Sequence, residues 1–268
     1  MDLKNHKTMD GAVSEVYKTI GDVELKAHIF NPEGHKPSDR RPAAVFFFGG
    51  GWNSGTPLQF KNQCLYLASR GMVAMAMDYR VKSRNKTTPF ECVKDGKSAV
   101  RWVRTNAKRL GIDPDRIAAG GGSAGGHVAA ATGTVPGLEE AGEDQTVSPR
   151  PNALLLFNPV YDNGPNGYGY NRVKERFKEI SPMHNIDRST PPAIVFLGSR
   201  DKLIPVSTAE TFKKKMEDAG VKSVLHVYEG QAHGFFNPWK GGPDVFRKTM
   251  QQLDAFLVEL GYLDGSRS

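Results

Sequence analysis

The sequence predicts an α/β fold, a mostly parallel sheet entered through an antiparallel hairpin and covered by helices on both faces. Three observations carry the prediction. Near the N-terminus "SEVYKTI" and "DVELKAHIF" alternate apolar and polar residues around the turn pair Gly21-Asp22, the mark of a hairpin with one wet face. Farther on, the apolar runs are continuous, as in strands buried on both faces. Helical spacing separates those runs.

The elements follow in order. A Pro-rich, charged loop, "NPEGHKPSDRRP", leads to the strand "AAVFFF" (43–48), and "GMVAMAMDY" (71–79) forms another. A helix is expected over about 57–70. In the next segment Val93, Lys97, Val100, Val103, Ala107 and Leu110 recur at three- to four-residue steps, which is helical. "RIAAGG" (116–121) reads as a strand, followed by a helix starting near Ser123. Strands at 152–159, 193–199 and 223–230 alternate with a helix over about 205–219 and a closing helix over "DVFRKTMQQLDAFLVEL". Residues 1–268 are expected to form a single domain. Two interruptions, about 134–151 and about 160–190, are long enough to be functional loops, and loops of this kind usually overhang a site. The second is expected to act as a small lid.

Composition excludes several classes. The 268 residues are 38% hydrophobic and 24% charged with 29 glycines, ordinary for a globular protein. No stretch approaches the roughly 20 apolar residues of a membrane span, and the first residues lack the apolar core of a signal peptide. A soluble protein is expected, with the compartment open between the cytoplasm and export with the signal removed. The net charge of +7 is spread among acids, as in "KERFKE" and "FKKKMED", so no nucleic-acid partner is indicated. Cys64 and Cys92 are the only cysteines. They lack metal-ligand spacing and read as buried thiols, with one optional disulfide as the alternative. No metal or organic cofactor is expected, and the oligomeric state is not legible.

Two glycine-rich stretches carry the chemistry. "FFFGGGWNSG" (46–55) ends a stiff apolar strand in nearly bare backbone, which suits either a phosphate cradle or a loop offering N–H groups to an oxyanion. No G-K-[ST] follows, which weighs against phosphate. Gly121-Gly122-Ser123-Ala124-Gly125 is a G-x-S-x-G between a strand and a helix, the context in which a serine occupies a sharp turn with its oxygen exposed. A dinucleotide fingerprint is the competing interpretation, but Glu139 and Glu140, at the required separation, fall in a broken loop. A plain helix cap at Ser123 is the bland alternative.

A serine hydroxyl is a weak nucleophile and needs a base, which in turn needs a carboxylate to orient it. Asp201 follows the strand at 193–199, and His233 lies in the loop after the strand at 223–230. The six other histidines fit less well: His6 and His35 lie in polar outer segments, His28 and His226 in strands, His127 within the Ser123 helix and His184 in the insertion.

Gly49-Gly50-Gly51-Trp52, Asp78-Tyr79-Arg80, the Ser123 motif through His127, Asp201 and "AHGF" together resemble the α/β-hydrolase superfamily, in its carboxylesterase and acetyl-esterase branch, related to hormone-sensitive lipase and feruloyl esterases. The resemblance spans about residues 14–260. It implies an α/β-hydrolase fold, the catalytic triad Ser123, His233 and Asp201, and an oxyanion hole made by the N–H groups of Gly50, Gly51 and Ala124. In the family pattern a histidine precedes the glycines; here it is Phe48, which has to hold the loop by packing. The expected activity is hydrolysis of short acyl esters, such as acetyl esters of carbohydrates, with feruloyl esters next and a non-catalytic binding protein as the rival of another class. Trp52, Tyr161, Tyr168 and Tyr170 are the expected substrate contacts.

Overall fold

Two-residue alternation along each central strand decides which side chain meets which helical layer. In the computed structural model, which describes residues 8–267, strand β3 (Arg41–Phe47) sends Ala43, Val45 and Phe47 into one apolar layer and Ala44 and Phe46 into the other. Strand β6 (Ala153–Phe157) repeats the pattern, with Leu154 and Leu156 opposed to Leu155 and Phe157. Full burial of each such side chain contributes roughly 1.5–3 kcal/mol, so a one-residue slip in register would be prohibitive.

The remaining strands are β1 (Val13–Ile20), β2 (Val23–Phe30), β4 (Val73–Met77), β5 (Ile112–Gly122), β7 (Ala193–Gly198) and β8 (Ser223–Tyr228). They form one eight-stranded sheet in the order β1-β2-β4-β3-β5-β6-β7-β8. β1 and β2 pair antiparallel, as do β2 and β4; all other pairs are parallel. The hairpin and the parallel sheet therefore stand where the sequence puts them.

Helices α3 (Pro89–Thr105), α4 (Ala124–Thr134) and α6 (Val206–Asp218) cover one face, and α1 (Lys61–Ser69) and α7 (Pro238–Glu259) the other. A capping box opens α3: the Thr88 side chain receives the helix backbone while Glu91 receives the Thr88 N–H. The stretch expected as one helix over 57–70 begins as a 3-10 turn, Pro57–Phe60, before α1. α7 breaks at Gly242, whose φ of 85° lets the chain turn so that Pro243 restarts the helix.

The loop over 134–151 departs from expectation. Instead of overhanging the Ser123 end of the sheet, it is bound along α3: Glu139 pairs with Lys97 and Arg101, and Glu143 with Arg101. Glu140 reaches Lys18 and Arg80, both of which also pair with Asp95, itself wholly buried. The acids of the loop complement a basic helix face, a match that helical periodicity alone does not show. The insertion over 160–190 holds only short helical turns, among them α5 (Tyr170–Val173). Another short helix, α2 (Lys82–Asn85), follows β4.

Cys64 and Cys92 are separate, buried thiols, and burial pushes both well above the usual thiol range. Among the described residues no cluster of side chains could hold a metal ion, and no helix is long and apolar enough to cross a membrane. His6 and the rest of residues 1–7 lie outside the described residues.

Candidate active site

The strands β3, β5, β6, β7 and β8 run parallel, so their C-terminal ends share one rim of the sheet. Each leads directly into a residue of interest: Gly49–Gly51 after β3, Ser123 after β5, Asn158 after β6, Asp201 after β7 and His233 after β8. Parallel topology alone thus gathers residues 184 positions apart (49 to 233) at one edge.

Ser123 sits at φ 55°, ψ −120°, a conformation that costs about 1–3 kcal/mol for a non-glycine residue. The surroundings enforce it. Its N–H donates to the Phe157 carbonyl at 3.0 Å, and its carbonyl accepts from His127 and Val160 at 3.0 and 3.1 Å. Close approach forces glycine at 125: a Cβ there would collide with the Phe47 and Phe48 carbonyls.

His233 Nε2 lies 2.9 Å from Ser123 Oγ, and His233 Nδ1 lies 2.7 Å from Asp201 Oδ2. A carboxylate can only accept, so Nδ1 carries the proton and Nε2 presents a lone pair to the hydroxyl. The Asp201 side chain is fully buried, and its second oxygen accepts the N–H groups of Leu203 and Ile204 at 2.8 and 3.0 Å. One carboxylate therefore ties down its own turn ahead of α6 and orients the imidazole.

Asn158 was not singled out from the sequence. It is buried, with φ 34°; its Oδ1 accepts the Gly234 N–H at 2.9 Å, and its Nδ2 lies 3.5 Å from His233 Nε2. The available signal was a polar residue at the tip of the apolar run "LLLFNP", on the rim shared by the other site residues.

In the loop after β3, Phe48 performs by packing what a hydrogen-bonding side chain would do elsewhere. Its ring stacks on Tyr79 at 4.2 Å, and the Tyr79 hydroxyl donates to the Phe48 carbonyl at 2.6 Å. Gln59 accepts the Gly49 N–H, Asn53 and Ser54 donate to the Gly50 carbonyl, and Arg172 donates to the Gly51 carbonyl. With φ values of 137° and 61°, Gly50 and Gly51 occupy backbone regions that side chains disfavour. Among the described residues, nothing accepts the N–H groups of Gly50, Gly51 or Ala124.

The four expected substrate contacts divide. Trp52 and Tyr161 are buried, at 2% and 0% exposure, although each contributes to the wall of a cavity. Trp52 donates from Nε1 to His127 Nδ1 at 3.2 Å, and Tyr161 stacks on Phe212 at 4.7 Å. Apolar area draws these two rings inside. Tyr168 and Tyr170 remain half-exposed. The Tyr168 hydroxyl lies beside Gly51, while Tyr170 packs on Phe177 within the insertion.

His127 links three segments. It accepts from Trp52 of the glycine loop, sits on α4, and donates from Nε2 to the Ile180 carbonyl of the insertion at 3.0 Å. Complete burial lowers its pKa to about 4, so the ring is neutral at pH 7 and retains the lone pair that holds Trp52.

Residues 28–154 match the family described as BD-FAE, and residues 166–255 the dienelactone hydrolase family. Thermogutta terrifontis esterase 2 phosphoramylated by tabun is 49% identical with a TM-score of 0.92, the match covering 96% of this chain and 97% of that one. The butyrate-bound form of that esterase is 47% identical over the same shares, also with a TM-score of 0.92. Esterase LipC of Mycobacterium tuberculosis is 29% identical over 74% of this chain and 54% of its own length. The chain spans about half the length of several curated relatives it matches. With the fold, the order of the motifs and near full-length similarity in agreement, this chain belongs to the α/β-hydrolase superfamily, in its serine-esterase branch.

Proposed function

We propose that the protein is a carboxylic ester hydrolase acting on esters of small acyl groups, with acetyl esters of carbohydrates as the leading substrate class. One observation carries this: an unbroken chain from the Asp201 carboxylate through His233 to the Ser123 hydroxyl, at 2.7 and 2.9 Å.

In the proposed reaction Ser123 Oγ attacks the ester carbonyl as His233 Nε2 takes its proton, and Asp201 stabilises the imidazolium. The N–H groups of Gly50, Gly51 and Ala124 receive the developing oxyanion, and each such donor typically contributes about 10²- to 10³-fold in rate. His233 then protonates the leaving alcohol, and water activated by the same nitrogen releases the acid from acyl-Ser123. The insertion over about 160–190 acts as the lid.

The small-acyl preference rests on a cavity of about 190 Å³ beside the glycine loop, lined by Gly49, Gly55, Thr56, Leu58, Gln59 and Trp239. Gly49, on the wall of this cavity, packs against the Ser123 turn: a Cβ added there would lie 3.3 Å from Ser123 Cβ. Solved forms of the Thermogutta esterase hold propionate and butyrate, which agrees with short chains. Trp239, 42% exposed on the cavity wall, favours a second possibility, an aromatic acyl group of the feruloyl kind stacked on the indole.

The test is a panel of nitrophenyl esters from acetate to decanoate together with methyl ferulate and acetylated sugars. The proposal expects the highest kcat/KM for acetate through butyrate. A preference for decanoate overturns the small-acyl assignment, and no turnover of any ester by folded protein favours a non-catalytic binding protein.

A further inference from the structure

A second cavity, of about 420 Å³, adjoins the middle of the glycine loop. Its lining includes Trp52 and Asn53 of the loop, Lys82, Lys86 and Thr87 around α2, and Arg172 of the insertion. Three cations face it and no acidic residue does. Lys82, Lys86 and Arg172 form no ion pair among the described residues, and Thr87 Oγ1 is buried without a hydrogen-bond partner.

These groups are tied to the glycine loop rather than scattered near it. The Lys82 N–H donates to the Trp52 carbonyl at 3.0 Å, and the Ser83 N–H to the Asn53 carbonyl at 3.0 Å, so α2 is stitched to the glycine loop. Arg172 donates to the Gly51 carbonyl and lies over the Trp52 ring at 5.5 Å. Lys86 is held at φ 57° with its N–H on the Lys82 carbonyl at 2.9 Å, an uncommon conformation for lysine. A further cavity of about 420 Å³ shares Thr88 and Arg172 with the second and adds Lys174, together with Lys94 and Arg176, which pair with Glu140 and Glu179. Its one carboxylate, Glu91, already accepts the Thr88 N–H at 2.7 Å. Clustered cations repel one another, and a walled cleft of one sign concentrates the field that an anion would relieve.

We propose that the cavity beside Lys82, Lys86 and Arg172 is a specificity site for an anionic group, carboxylate or phosphate, carried on the alcohol half of the ester. The inference rests on the esterase assignment above: the small acyl group takes the 190 Å³ cavity next to Gly49, which leaves the larger cationic cavity for the alcohol. The favoured substrates are then acyl esters of uronic acids or of sugar phosphates.

The experiment compares kcat/KM for three matched acetyl esters, of a methyl glucoside, a methyl glucuronoside and a methyl glucoside 6-phosphate, with 4-nitrophenyl acetate as reference. At low salt one or both charged esters should exceed the neutral one by about five- to tenfold, the scale of two or three partly exposed ion pairs, and the ratio should shrink as salt is added. Which charged ester leads separates carboxylate from phosphate. The variant K82M/K86N, with asparagine at 86 because it tolerates a left-handed backbone, should bring the ratio close to one. The charge-matched pair K214M/K215M on α6 should keep it. Equal turnover of all three glycosides, no turnover of any of them while 4-nitrophenyl acetate is cleaved, or an unchanged ratio in K82M/K86N overturns the inference and leaves the esterase assignment standing. Failure with 4-nitrophenyl acetate as well defeats both.

Discussion

Ser123 is held in a backbone conformation that only its neighbours make tenable, and the strain lifts a single hydroxyl to the rim where His233 waits. Ser123→Ala removes that oxygen and nothing that packs. Turnover of 4-nitrophenyl acetate should fall by about 10⁴-fold or more while the circular dichroism spectrum stays that of the parent. Asn158 makes a subtler claim. By accepting the Gly234 N–H it fixes the loop that carries His233, so Asn158→Ala should lower kcat about tenfold with little change in KM, and cost about 1–2 kcal/mol in urea unfolding. An unchanged kcat would reduce Asn158 to a structural role. Ser123, Asp201 and His233 were legible because each falls where a strand ends, a place that motif spacing fixes. Asn158 was not, because its role depends on which strand lies next to which. The burial of the Trp52 and Tyr161 rings was not legible for a related reason: an aromatic residue in a loop looks the same in one dimension whether its ring turns outward or inward.

At the scale of elements, the glycine loop is held by stacking, from Phe48 on Tyr79, and by Arg172 of the 160–190 insertion on the Gly51 carbonyl. Phe48→Ala leaves a hole beneath the loop and should cost about 3–5 kcal/mol, with kcat reduced alongside stability; thermal unfolding and 4-nitrophenyl acetate turnover measure the two. A melting temperature within a degree of the parent would show that packing does not hold the loop. The strands and the long helices were readable because burial on one or two faces prints a period on the sequence. The loop over 134–151 was not, since Glu139 and Glu143 acquire meaning only when laid along the basic side of α3, and Glu140 only beside Lys18 and Arg80. Hydrogen-bonded ion pairs of this kind carry no periodicity.

For the whole molecule, His127 joins the glycine loop, α4 and the 160–190 insertion through one neutral imidazole. Burial depresses its pKa from 6.5 to about 4, so protonation favours the unfolded chain. The stability it supplies is fully present above about pH 6.5 and is lost as pH falls toward 4. Between pH 7 and pH 5 the loss should be about 2 kcal/mol from this residue alone, and urea unfolding of His127→Gln should show a correspondingly shallower pH dependence. An identical slope in the two proteins would contradict it. Asp95, buried between Lys18 and Arg80, ties the hairpin to the helical layer. Asp95→Ala strands two cations and should destabilise by about 3–5 kcal/mol, read from the same unfolding curves. Above these tests stands the assignment of Ser123 as the nucleophile of the whole assembly. Incubation with a fluorophosphonate, followed by intact mass and peptide mapping, addresses it directly: the account predicts one adduct per chain, on the peptide containing Ser123, and none in Ser123→Ala. Folded protein that takes up no label, or takes it up at another residue, would contradict it.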